Sequence, residues 1–397
     1  MTHRRSVNGL RVAPSELLRG DQVVEALAWR LRQPAEPAAA TVSRGRSVLL
    51  VHGPVGYPRV RDRLGAALRA AGVEAFTVLH EGPCHAAAMD AIASAAEREG
   101  VGWLLGVGGG RVIDAAKGAA HQAGLPFAAL PTSPATCAAT AATVVVYDAH
   151  GSHLAVREGG PAAALCALDA DLLAAAPDRL LAAGIADAWA KVHEVRLTSR
   201  GGTIDRSTAR AALALLDDLA ALLTEHAVAA LAAGPAGARD FDLLPRRRLV
   251  AEAVVTYPGL IGGLAGADAK LALAHPLHDA LTGVPGSRAA LHGEKVAFGS
   301  LVQIRLAGRD GSERSDAERV AAMRAEAASY ADLGMACHLA ALGCGAARSG
   351  RTQDSVVERT LADPFVAQAL PSLSATQLRA AIREVDSWLR QQAGVGP

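Results

Sequence analysis

From Ser47 onward the chain alternates short β-rich runs with stretches of helical length, the runs falling at 47–51, 75–79, 103–107, 127–130 and 143–147. A parallel strand pair needs a crossover of about that length, so the alternation predicts an α/β unit built on a parallel sheet. Each run stops in turn-formers or polar residues: His52-Gly53-Pro54, His80-Glu81-Gly82-Pro83, Gly108-Gly109-Gly110 and Pro131-Thr132-Ser133. Ligands of open α/β sheets collect at the carboxyl ends of the strands, which makes these turns the place to expect cofactor contacts. Ahead of the sheet, 22–31 predicts a short amphipathic helix, and 33–46, rich in Pro and Ala, predicts a connection.

After about Leu173 the β pattern stops, and Ala-Leu runs of helical length continue to Gln392. Residues 210–223 and 316–333 are examples, and the last helix opens on Ser374-Ala-Thr-Gln377, the spacing of a capping box. The 51% hydrophobic content is largely alanine with only 3% aromatics, which favours helix. At about 150 residues per domain, 397 residues suit two domains, placed at 1–174 and 175–397.

With 40 Lys+Arg against 39 Asp+Glu the net charge is +1, too small to draw the chain to phosphate backbones or anionic lipid. Neither a nucleic-acid nor a membrane partner is expected. The apolar stretch 211–231 is broken by Asp217, Asp218, Glu225 and His226, which excludes a span there. Met1-Thr-His-Arg-Arg leads into polar sequence instead of the apolar segment of about 7–15 residues that a secretory signal needs. The five scattered cysteines include no Cys-x-x-Cys pair, so reduced thiols in a cytoplasm are expected.

Two groups of residues carry candidate chemistry. The first is the run 106–117, where Gly108, Gly109 and Gly110 lie between an apolar strand and an amphipathic helix. Glycines there let the backbone approach a phosphate, and the helix N-terminus offers N–H groups and the positive end of its dipole. The spacing is not the dinucleotide Gly-x-Gly-x-x-Gly, and a plain tight turn is the other reading. The second group is Asp187, His275 and His292: a carboxylate and two imidazoles make a first shell for a divalent cation with an open position. His275 and His278 would share a helix face and both reach one ion. Packed or solvated histidines are the alternative.

These segments, together with Leu130-Pro-Thr-Ser133, Gly184-Ile-Ala-Asp-Ala188 and His292-Gly-Glu-Lys-Val-Ala-Phe-Gly299, resemble the iron-containing alcohol dehydrogenase and dehydroquinate synthase-like superfamily. The likeness is strongest to its glycerol dehydrogenase branch and covers nearly the whole chain. It implies a Rossmann-like NAD(P)-binding α/β domain, an all-α metal- and substrate-binding domain, and an active site between them. It further implies a homo-oligomer that interconverts a small alcohol or polyol and its carbonyl by hydride transfer, with NAD or NADP as cofactor. One divalent metal ion, zinc in most glycerol dehydrogenases and iron in many relatives, would fall on Asp187, His275 and His292. Lys191 stands where the iron branch commonly adds a fourth ligand, a histidine. Cofactor contacts are implied at Gly108, Gly109, Gly110, Thr132, Ser133, Thr143 and Tyr147, the last two having an equal reading as ordinary strand residues. His278 matches a histidine near the nicotinamide, as a proton relay or as a supporting residue.

The chain departs from that pattern in two places. Cys137 stands where glycerol dehydrogenases carry an aspartate that contacts the polyol; a thiol is a weak acceptor, so the expected substrate shifts toward a less polar alcohol, ketone or aldehyde. His52-Gly53-Pro54 replaces a ribose-binding aspartate, which leaves Arg59, Arg61 and Arg63 either to pair with a 2′-phosphate or to form a solvated helix face. Residues 246–248, three arginines, read as the start of a solvated helix or as a subunit contact, and Cys84, Cys337 and Cys344 as structural. Two other functions fit the same architecture: a sugar-phosphate cyclase, and a catalytically retired homologue that binds nucleotide.

Overall fold

The computed structural model describes residues 10–33, 46–158, 162–199, 207–266, 270–309 and 314–395. Along the chain come β1 (Glu16–Arg19), α1 (Val23–Leu31), β2 (Ser47–His52), α2 (Arg61–Ala70), β3 (Glu74–Leu79), α3 (Ala86–Arg98), β4 (Trp103–Gly108), α4 (Gly110–Gln122) and β5 (Phe127–Pro131). Then follow β6 (Val144–Tyr147), β7 (His153–Arg157) and β8 (Leu165–Leu168). Six strands form one sheet in the order β1-β8-β5-β4-β2-β3, with every pairing parallel. The chain reverses its direction across the sheet beside β2 and β4, where doubly wound sheets open a ligand crevice.

Alternation decides which layer each strand residue joins. Val48, Leu50, Leu105, Val107, Ala128 and Leu130 pack with Leu27 of α1 and Leu64 and Leu68 of α2. Leu49, Val51, Leu104 and Ala129 face the other way, onto Met89 of α3 and Ile113 and Ala116 of α4. Burial on both faces is why these strands read as continuous apolar runs.

Run 143–147, expected in this sheet, lies outside it. β6 instead pairs antiparallel with β7 as a separate two-stranded sheet. Only residues 148–152 separate the two strands, too short a link for a parallel crossover. The place beside β5 is taken by β8, and β1, unrecognised in the sequence, adds the edge; with four residues of alternating exposure it gives no apolar run. Residues 34–45 of the expected connection lie outside the described residues.

No strand follows Leu168 among the described residues. The rest is α5 (Ala170–Ala174), α6 (Asp178–Thr198), α7 (Ser207–Ala232), α8 (Leu244–Ala265), α9 (Ala274–Thr282), α10 (His292–Ala307), α11 (Asp316–Asp332), α12 (Gly350–Leu361), α13 (Pro364–Ala369) and α14 (Ala375–Gln392). The capping box is present: Gln377 N–H donates to Ser374 Oγ at 3.3 Å, and Ser374 N–H to the Gln377 side chain at 2.9 Å. No described helix is long and apolar enough to cross a membrane. The apolar core under α3 and α4 continues into α6, α7, α8 and α10.

Arg247, expected at a solvated helix start, is fully buried. It donates to the carbonyls of Ala174, Ala176 and Ala230 and to Asp178. The carbonyls at helix C-termini lack intrahelical partners, and a guanidinium can satisfy several at once. Arg247 thereby ties the link between α5 and α6 to the end of α7.

Candidate active site

The carboxyl ends of β2 to β5 open into a cavity of about 1220 Å³ whose far wall is helical. On the sheet side it is lined by Gly108, Gly109, Gly110, Thr132, Ser133, Thr143 and Tyr147, and on the helical side by Asp187, His275, His278 and His292. Sequence positions more than 180 residues apart therefore share one space.

β4 passes into α4 at Gly109, the N-cap in extended conformation. A Cβ on Gly108 would meet Val112 at 2.7 Å, and one on Gly110 would meet Thr136 Oγ1 at 2.7 Å, so neither of these two positions has room for a side chain. The first N–H groups of α4 have no carbonyl partners within the helix and suit a phosphate. The turn is braced from behind. Lys117, fully buried on α4, donates to the carbonyls of Ala138 (2.7 Å) and Ala141 (3.0 Å), and Val145 N–H donates to Asp114 at 3.2 Å. Thr140 of the same loop donates to the Val255 carbonyl of α8 at 2.5 Å. The loop carrying Cys137 is thus pinned between α4 and α8.

Asp187 on α6, His275 on α9 and His292 at the start of α10 turn toward one point. Asp187 Oδ1 lies 3.1 Å from His275 Nε2 and 3.3 Å from His292 Nε2, and one donor atom from each residue lies within 4.8 Å of the others. Ligands held at about 2.0–2.2 Å in a tetrahedral zinc site stand roughly 3.3–3.6 Å apart, so the spacing fits a shared divalent cation. The electrostatics favour positive charge at the same point. Burial alone would raise the Asp187 carboxyl, but His292 and His275 hold it well below the usual carboxylate range. Burial would lower His275, yet Glu194 and Asp187 beside it push it up to about 9. One carboxylate and two imidazoles, short of a full shell, are a donor set suited to zinc or iron.

Behind these donors lies a second ring of hydrogen bonds. Buried Glu194 accepts from His275 Nδ1 at 2.5 Å and from the N–H groups of Ala272 and His275 at 3.0 and 3.1 Å. Gln303 of α10 accepts from the N–H groups of Leu273 and Ala274, fixing the start of α9. His292 Nδ1 is 3.1 Å from His278 Nε2, and His278 Nδ1 is 2.9 Å from Asp279 Oδ1. Burial, then His292, keeps His278 well below the usual imidazole range, so it is neutral. A neutral ring that donates to Asp279 can accept from His292 Nδ1–H, the arrangement that would free the His292 Nε2 lone pair for a bound cation. Partners of this kind set the basicity and aim of a ligand, so Glu194→Gln is expected to weaken zinc binding by about 10- to 100-fold, read by competition with a chromophoric chelator. Unchanged affinity would remove that role.

His278, expected to share one ion with His275, does not turn to that point: it sits behind His292 and bonds to it. The two rings are on one helix, but only His275 faces Asp187, because Glu194 anchors it there. Of the three arginines, Arg63 is spent on Glu25 and Asp169 and Arg61 on Asp62; Arg59 alone of them lines the cavity. Cys137 lines the cavity near Asp187, its thiol pushed up to about 12 by burial and by that carboxylate. Cys84, Cys337 and Cys344 are buried and unbridged. Glu194, Gln303 and Lys117 were not singled out in the sequence. Glu194 follows Asp187 by seven residues, two helical turns on the same face, and that spacing was the available signal.

Comparison with known proteins agrees with this architecture. The sequence profile of the iron-containing alcohol dehydrogenases matches residues 34–170. The glycerol dehydrogenase of Pseudomonas putida is 32% identical over 262 residues, 64% of this chain and 68% of that protein. The glycerol dehydrogenase of Escherichia coli O6:H1 is 36% identical over 247 residues, 61% of this chain and 64% of that protein. The chain spans 55–64% of the length of the first curated relatives it matches. In three dimensions it superposes on a probable glycerol dehydrogenase from Sinorhizobium meliloti 1021 with a TM-score of 0.76, covering 97% of this chain and 100% of the other at 24% identity. The chain belongs to the iron-containing alcohol dehydrogenase family, in its glycerol dehydrogenase branch.

Proposed function

We propose that the protein is a metal-dependent, NAD(P)-linked oxidoreductase that interconverts a small alcohol or polyol and its carbonyl. The observation that carries this reading is the meeting of Asp187, His275 and His292 on one wall of a cavity whose opposite wall is the glycine turn of β4 and α4. In this reading residues 1–174 hold the dinucleotide, residues 175–397 hold the cation, and the protein works as a cytoplasmic homo-oligomer.

When bound, the cation polarises the substrate oxygen and the nicotinamide exchanges a hydride with the carbon bearing it, so that alcohol and NAD(P)+ give carbonyl, NAD(P)H and one proton. The backbone at Gly108, Gly109 and Gly110 would receive the pyrophosphate. Thr132 and Ser133, which line the same cavity, would border its path, and Thr143 and Tyr147 would border the nicotinamide end. Glu194 orients His275, and Asp279 through His278 orients His292; the hydrogen bonds support a positioning role for His278. The packed loop at 134–143 limits water near the reacting carbon.

The test is an assay of protein stripped of metal and reloaded with zinc or iron, with NADH and NADPH against a panel of small carbonyls. Metal-dependent net oxidation of cofactor is expected. A cyclase would return its NAD oxidised and a retired homologue would consume none, so absence of net oxidation with either metal would overturn the proposal.

A further inference from the structure

We infer that His153 of β7 is a positioning residue for the cation centre: it faces the second carboxylate oxygen of Asp279, so that a hairpin of the sheet-side unit helps to aim His292 at the ion. The inference rests on the cation centre of the reading above. It goes beyond that reading in making both sides of the cavity responsible for holding the ion.

The contacts run outward from the centre. His292 Nδ1 is 3.1 Å from His278 Nε2, and His278 Nδ1 is 2.9 Å from Asp279 Oδ1. Asp279 Oδ2 lies 3.5 Å from His153 Nδ1, so each oxygen of one carboxylate faces a different ring. Consecutive side chains on a helix point about 100° apart, and helix geometry by itself does not bring Asp279 onto its neighbour's ring. Something outside α9 has to settle which way the carboxylate turns. Among the described residues, His153 is the other side chain that faces it. His153 Nε2 is buried without a partner, and burial, ahead of the pull of Asp279, holds the ring below the usual imidazole range. A second proton would put an unpaired donor at Nε2, which favours the neutral ring whose one N–H, at Nδ1, points to Asp279.

His153 is itself seated from several sides. Its N–H donates to Thr282 Oγ1 of α9 at 2.8 Å, and Arg359 of α12 donates to its carbonyl at 3.3 Å. Its ring stands edge-on to Tyr147, with centroids 6.1 Å apart. The other strand of the hairpin is tied to the sheet side: Val145 N–H donates to Asp114 of α4, and Tyr147 N–H to the Cys84 carbonyl at 2.8 Å. Two strands alone are marginal in water, so these ties fix the hairpin in place. One strand is thereby bound to α4, behind the glycine turn, and the other to α9, which carries His275 and His278. The ring that faces Asp279 is supplied by the unit that, in the reading above, holds the dinucleotide.

The experiment measures zinc affinity by competition with a chromophoric chelator. His153→Phe keeps a ring against Tyr147 but has no donor for Asp279, whereas His153→Asn keeps an N–H donor close to the place of Nδ1. Zinc affinity is expected to fall about 10-fold in His153→Phe, the low end for groups that support metal ligands, and to return to within about 3-fold of wild type in His153→Asn. A double-mutant cycle separates positioning from a damaged fold. His278→Ala cuts the chain, and adding His153→Phe to it is expected to change zinc affinity by less than about 2-fold. Asp279→Asn, whose amide has one acceptor oxygen in place of two, is expected to lose as much as His153→Phe and decides the matter if that variant does not fold. Wild-type affinity in His153→Phe or Asp279→Asn, an equal loss in the His278→Ala background, or no recovery in His153→Asn overturns the inference while the oxidoreductase reading stands. A wild-type protein that binds no zinc overturns it for want of a centre, and the metal-reloading assay then decides separately on the oxidoreductase reading.

Discussion

Asp187→Asn is expected to lower kcat/KM by about 10³-fold, because charge stabilisation by a bound cation is worth several kcal/mol and each 1.36 kcal/mol is tenfold. The change is nearly isosteric, so the effect is electronic. Asp187 is the charged donor of the centre, and it lies against both imidazoles. An amide oxygen keeps the shape and loses the charge that His275 and His292 face. Zinc affinity should fall with activity, more than for Glu194→Gln, since Asp187 would touch the ion and Glu194 only its histidine. Chelator competition reads that loss directly, and a denaturation midpoint near wild type would confirm that the fold is intact. A variant that retained zinc at wild-type stoichiometry and turned over normally would leave the proposed centre without its acid.

Gly293→Ala is expected to destabilise the protein by about 3 kcal/mol, at the upper end of overpacking effects. A Cβ there would lie 1.8 Å from the Ala183 carbonyl oxygen, and backbone against backbone has no rotamer to relieve it. α10 would have to withdraw from α6, carrying His292 away from Asp187, so zinc affinity should fall along with the urea midpoint. Gly262→Ala is the matching control, because its added Cβ meets nothing within 4 Å and alanine is the better helix former. Equal midpoints for the two variants would show that the contact between α6 and α10 yields easily.

The contrast between these glycines explains much of what the chain order concealed. Both sit in helices, and no local pattern separates them; only the neighbouring carbonyl does. The same applies to Arg247, whose place in a run of three arginines suggested solvent, whereas helix C-termini from α5 and α7 gather around it. His275 and His278 look equivalent by spacing, and Glu194 on another helix breaks the tie. Strands fared better where they were central: β2, β4 and β5 are buried on both faces and read as apolar runs, while β1 lies at an edge and β6 takes its partner from a hairpin.

The order of residues by itself determined the alternation of strand and helix, the all-helical remainder and the side-chain-free turn before α4, since each depends on local periodicity or on backbone room within a few residues. Tertiary structure alone decided which side chains meet. Asp187, His275 and His292 are joined by contacts across 88 and 105 residues, on the wall of a cavity built by distant segments. Such encounters depend on how helices cross, and crossing is set by packing between elements that no local pattern encodes.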